Sequence, residues 1–106
     1  MTSTERPETA RGLTFERYSP VGKVFVTINY WDGGPREVII RVGKAGTLSR
    51  AWGDSLGRLC SVALQYGTPV EVVCKQLMKV RSQESRGRLD SLPEIVGTVL
   101  EEHQDG

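Results

Sequence analysis

Gly43-Lys44-Ala45-Gly46 divides the chain into two halves with different apolar periodicities. Before it apolar residues alternate, as on a half-buried strand; after it they recur at helical spacing. A sheet followed by helices is the reading that results, which is the α+β class. Three β-rich runs lie upstream: Leu13 to Tyr18, Lys23 to Trp31 and Arg36 to Val42. Ser19-Pro20-Val21-Gly22 and Asp32-Gly33-Gly34-Pro35 separate them, so the simplest product is a three-stranded antiparallel meander. One face of the middle strand carries Val24, Val26, Ile28 and Tyr30, matched by Val38, Ile40 and Val42 and by Leu13 and Phe15. That face is expected to meet the helices. The other face, with Phe25, Thr27, Asn29 and Trp31 beside Glu37, Ile39 and Arg41, is mixed and is a candidate partner-facing surface.

Three helices are expected downstream, packed on one sheet face. The first runs from Leu48 to Tyr66 with Leu48, Trp52, Leu56, Leu59, Cys60 and Ala63 on one stripe, and Gly67 stops it. Ser49, Gly53, Gly57 and Ser61 recur every four residues on the same helix. They form a ridge of small side chains where another backbone can approach, within the chain or between subunits. Arg50, Asp54 and Arg58 share that spacing and read as a solvated charge ladder. Thr68-Pro69-Val70-Glu71 has the form of a capping box opening a short helix that faces inward through Val70, Val73, Cys74 and Leu77. Polar residues 81 to 88 then read as a flexible loop. Ser91 with Glu94 is a further capping box, starting a last helix that buries Leu92, Ile95, Val96 and Val99.

At 106 residues the chain is read as one domain, with residues 1–11 a disordered arm, 12–103 the folded unit and 104–106 a frayed tail. A domain of this size buries only a modest core, so a dimer or a larger host is a reasonable expectation. Fourteen basic residues face thirteen acidic ones, which leaves no global field to draw the chain onto nucleic acid or membrane. No apolar run reaches the ~20 residues of a membrane span and the N-terminus lacks a signal-peptide core, so a cytoplasmic location is expected. Cys60 and Cys74 have no Cys-x-x-Cys spacing and both lie on apolar helical stripes, which reads as buried reduced thiols.

The order of hairpin, Gly-Lys-x-Gly bridge, long helix, short helix, loop and Ser-x-Pro-acid helix resembles the TSCPD domain, best known at the C-terminus of adenosylcobalamin-dependent ribonucleotide reductases. The matching pieces are Gly22-Lys23-Val24-Phe25-Val26-Thr27-Ile28-Asn29, Val42-Gly43-Lys44-Ala45-Gly46, Leu56-Gly57-Arg58-Leu59 with Ala63-Leu64, and Gln76-Leu77. Arg6-Pro7 and Arg11-Gly12-Leu13-Thr14 resemble the entry into that domain, and the match runs from about Arg6 to Leu100. The family signature reads Thr-Ser-Cys-Pro-Asp; here Asp90-Ser91-Leu92-Pro93-Glu94 stands in its place. Family members commonly carry four cysteines, and the resemblance puts Val21, Leu48, Ser82 and Leu92 at those positions. Four thiolates from separate loops would suit structural zinc, so their joint absence implies that no metal is bound and that packing replaced coordination.

Ribonucleotide reduction requires several hundred residues that are not in this sequence, and no nucleophile and base are paired in it. The expectation is a chain that is not an enzyme on its own and needs no cofactor. Gly43-Lys44-Ala45-Gly46-Thr47 lacks the spacing of a nucleotide-phosphate loop and reads as a tight connection, with Lys44 a weak anion candidate. The leading reading is a stand-alone interaction or regulatory module docking on another copy or on a ribonucleotide reductase subunit. Its candidate interface is Phe25, Trp31, Ile39 and Arg41 on the outer sheet face, and Ser49, Gly53, Gly57 and Ser61 on the ridge. The alternative is nucleic-acid binding through Lys79, Arg81, Arg86 and Arg88 with Phe25 and Trp31 as stacking platforms.

Overall fold

The computed structural model describes residues 5–20, 22–80 and 91–105. It has the α+β architecture expected: β1 (Arg11–Ser19), β2 (Gly22–Trp31) and β3 (Gly34–Val42) form an antiparallel sheet in that order. The helices α1 (Leu48–Gln65), α2 (Val70–Met78) and α3 (Leu92–Glu102) follow. The β2–β3 turn needs only Asp32 and Gly33, which take φ of 51° and 81°, the left-handed pair of a two-residue hairpin. Gly34 and Pro35 therefore belong to β3, opposite Trp31 and Tyr30, rather than to the turn. Proline has no amide to give the ladder, and the register shifts between Asn29 and Tyr30, where it sits.

Val24, Val26, Ile28, Tyr30, Val38, Ile40 and Val42 form the floor of the core, as their alternation implies. α1 lies along β3, α3 reaches β1 and β2, and α2 packs chiefly on α3. Leu13, expected to face the helices, is exposed. Among the described residues α3 is the helix that chiefly contacts β1, and just beyond its end His103 packs at a tilt on Phe15, 4.1 Å between ring centroids. The Tyr30 hydroxyl donates to the His103 carbonyl and ties the same end of the sheet to the C-terminus.

One capping expectation holds and one does not. At α3 the Ser91 hydroxyl accepts from the Glu94 amide at 3.3 Å and the Glu94 carboxylate from the Ser91 amide at 3.1 Å. Ser91 also donates to the Val80 carbonyl at 2.7 Å, joining the end of α2 to the start of α3. Thr68, by contrast, caps nothing at α2, whose first turn has no side-chain cap bond. Its amide instead bonds the Ala63 carbonyl at 2.9 Å while Gly67, at φ 94°, bonds Leu64 at 3.2 Å. Those two bonds are a Schellman motif closing α1, so the threonine is committed to the helix before it. Among the described residues no helix is long and apolar enough to cross a membrane.

Candidate functional site

α1 is held at its start by Thr47, whose hydroxyl accepts from the Arg50 amide at 3.3 Å. The Thr47 amide and hydroxyl both donate to the Lys44 carbonyl, at 3.1 and 2.6 Å. Gly43-Lys44-Ala45-Gly46 is thus a turn closed on itself, with positive φ at both glycines and Lys44 exposed at its tip.

The helix turns its small ridge, not its large side chains, toward the sheet. A Cβ on Gly57 would lie 2.9 Å from the Val38 carbonyl oxygen and 3.3 Å from the Ile40 nitrogen. One on Gly53 would lie 2.9 Å from a Val42 methyl. Ser61 accepts from the Val38 amide at 2.8 Å and sits 3.1 Å from its carbonyl, and the Gln65 amide donates to the Arg36 carbonyl at 3.0 Å. Arg36 returns the contact by donating to the Leu64 carbonyl, and also reaches the Trp31 and Asp32 carbonyls. Gly53, Gly57 and Ser61, read as candidate partner contacts, are consumed inside the chain. Half-buried Ser49 continues the same ridge beside Gly43.

This docking overturns the expectation for the other stripe. At 100° per residue the stripe of Leu48, Trp52 and Leu59 lies roughly 140° around the helix from the two glycines, so one sheet cannot cover both. Leu48 is 72% exposed, Trp52 64%, Leu59 69%, Val62 53% and Tyr66 52%. Leu56 and Ala63 at the margin are partly buried, and of the stripe expected to face inward only Cys60 is buried. Each such side chain left in water forgoes roughly 2 kcal/mol of transfer free energy. The result is a continuous apolar surface on α1 with no cover within the described residues. Both signals were present in the sequence; the four-residue glycine spacing, which demands close backbone approach, was the one that identified the buried face.

The outer sheet face is laced with polar pairs. Thr14 and Thr27 share a hydrogen bond of 2.8 Å, Asn29 donates to Glu37 at 2.6 Å, and Glu37 also pairs with Arg6 at 3.0 Å. Arg41 pairs with Asp54 at 2.9 Å, and Asp54 lies 3.9 Å from Arg50, so part of the expected charge ladder runs to the sheet. Phe25 is exposed with the Lys23 ammonium 6.0 Å from its ring centroid; Ile39 is half-buried. Trp31 is half-buried too, and its indole nitrogen has no partner among the described residues. Six residues of strand separate Phe25 from Trp31, roughly 20 Å, so the two rings do not form one platform. Lys79 is exposed at the end of α2, whereas Arg81, Arg86 and Arg88 lie outside the described residues.

Of the four positions where the family commonly has cysteine, Leu92 packs against the core and Leu48 is exposed. Leu92 thus has the packing role expected of it and Leu48 does not; Val21 and Ser82 lie outside the described residues. Cys60 and Cys74 are free and buried, and burial pushes both thiols up to about 11. Near Cys74 the Glu101 carboxylate adds to that effect. Among the described residues no group of three or more His, Cys, Asp or Glu side chains could hold a metal ion.

Sheet order, bridge, helix succession and the Ser91 capping box define a small α+β domain. Residues 1–104 match the TSCPD domain, and the chain belongs to that family. A vitamin B12-dependent ribonucleotide reductase of Rhodopirellula baltica is 34% identical over 77 residues, 71% of this chain. The chain spans only 7% of the length of that relative. No solved structure matches.

Proposed function

We propose that this chain is a non-catalytic interaction module of the ribonucleotide-reductase setting, which works by presenting the apolar face of α1 to a protein partner. The observation that supports this is the exposure of Leu48, Trp52, Leu59, Val62 and Tyr66 on a single helix otherwise firmly docked. Surfaces of this composition, aromatic and aliphatic with a polar surround, are those that bury well against another protein. The relationship to a reductase domain gives the setting, and a reductase subunit is the first partner to try.

The test is binding of the intact chain to the ribonucleotide reductase of the same organism by isothermal titration, alongside light scattering of the chain alone. The reading expects association, with the reductase or with itself, that Trp52→Glu removes. A monomer that binds no reductase, or binding indifferent to Trp52→Glu, overturns it. Salt-sensitive capture of short single-stranded DNA that depends on Arg86 and Arg88 would favour nucleic acid instead.

A further inference from the structure

We infer that the occupant of the α1 face is a second copy of this chain, its α1 running antiparallel about a two-fold axis level with Gly57; this rests on the interaction reading above. The order of the stripe supports it. Leu48 and Tyr66 lie nine residues on either side of Gly57, Trp52 and Val62 five, and Ser55 and Leu59 two. Ala51 and Ala63, each six away, fall at the margins. An antiparallel copy therefore sets Trp52 against the partner's Val62, Leu59 against the partner's small Ser55, and Leu48 against the partner's Tyr66. Trp52 and Leu48 each meet a large side chain of another kind and Leu59 meets a small one, and each contact occurs twice, which is the self-complementarity an isologous dimer needs. A parallel copy would set Trp52 on Trp52 and Leu59 on Leu59, with no knob facing a gap.

Area and charge agree with this. Five apolar side chains more than half exposed offer on the order of 600 Å² per copy, near the ~800 Å² each partner contributes to a stable interface. None of the stripe residues is charged, so bringing two copies together places no like charges in the seam. The nearest charge, Arg58, is exposed and makes no ion pair among the described residues, which leaves it free at the rim.

Two measurements on the full chain test the inference. Sedimentation equilibrium is expected to show a dimer that Leu59→Glu converts to monomer, raising the dissociation constant at least roughly a hundredfold, with the circular dichroism unchanged. Under mild oxidation the double variant Leu48→Cys/Tyr66→Cys is expected to run as a covalent dimer while neither single variant does, because in the antiparallel pair the two copies of either position are about 27 Å apart along the axis, whereas in a parallel pair they would meet. A wild-type chain still monomeric at about 100 μM overturns the second-copy inference. If that monomer binds a reductase chain in a manner Leu59→Glu abolishes, the interaction reading stands without it; if it binds none, both fall. Cross-linking by a single variant alone overturns the antiparallel arrangement.

Discussion

Ser61 clasps the backbone of Val38 at both its polar groups: its hydroxyl oxygen takes the Val38 amide at 2.8 Å and lies 3.1 Å from the Val38 carbonyl. The same hydroxyl is 2.8 Å from the Gly57 carbonyl one turn back, so one proton is shared between two acceptors. The amide and carbonyl of Val38 point outward at the edge of β3 away from β2, where the sheet would otherwise present unpaired groups to water.

Ser61→Ala removes that clasp and leaves the Val38 amide and carbonyl covered by α1 without partners. The expected loss is about 1–3 kcal/mol, seen as a lower urea midpoint with an unchanged slope. A change below a few tenths would mean that water replaces the hydroxyl there.

Gly57→Ala and Gly53→Ala separate propensity from fit. Alanine favours the helix by about 1 kcal/mol, but at position 57 the new methyl meets the Val38 carbonyl at 2.9 Å, and backbone in a paired strand cannot retreat. Gly57→Ala is expected to destabilise by about 1–2 kcal/mol net, as overpacking does. Position 53 meets side-chain methyls of Val42 and Ile40, which can turn, so Gly53→Ala should cost less. Equal melting temperatures for the two variants would contradict this ordering.

The buried thiols give the fold an alkaline weakness. In the unfolded chain a thiol loses its proton near 9, whereas in the folded chain burial holds the proton on Cys60 and Cys74 to about 11. Between those values the native state binds more protons than the unfolded state, so stability falls as pH rises. The slope is at most about 1.4 kcal/mol per pH unit for each thiol. Denaturant midpoints at pH 8 and pH 10.5, compared between the wild type and Cys60→Ala, should show a shallower loss in the variant.

Purified without chelator, the chain is expected to carry less than a tenth of an equivalent of zinc, and EDTA should leave its melting temperature unchanged. The basis is Leu48 and Leu92 at two of the four positions that the resemblance to the family matches to cysteines. Stoichiometric zinc by mass spectrometry would show that a different ligand set has taken over.

How far the sequence carried depends on the kind of question. Alternation from Val24 to Tyr30 and from Val38 to Val42 identified the core floor, because a strand has only two faces and one of them was plainly apolar. The Ser91–Glu94 box was legible because both partners are local. On α1 the period was right and the buried face was wrong. Periodicity reports spacing, but the choice between two stripes was decided by how near Gly57 can come to the Val38 carbonyl, a contact between residues far apart in sequence. Thr68 failed for a related reason: it stands between two helices and serves the earlier one.

α1 also fixes the direction in which this sheet can grow. With the edge of β3 closed by Ser61 and Gln65, the sheet edge left open among the described residues is that of β1. There an incoming strand would meet Arg11, Glu16 and Arg17, charges of the kind that discourage edge-to-edge stacking. Fibril-like polymerisation needs two open ends per unit, and the described residues offer one, guarded.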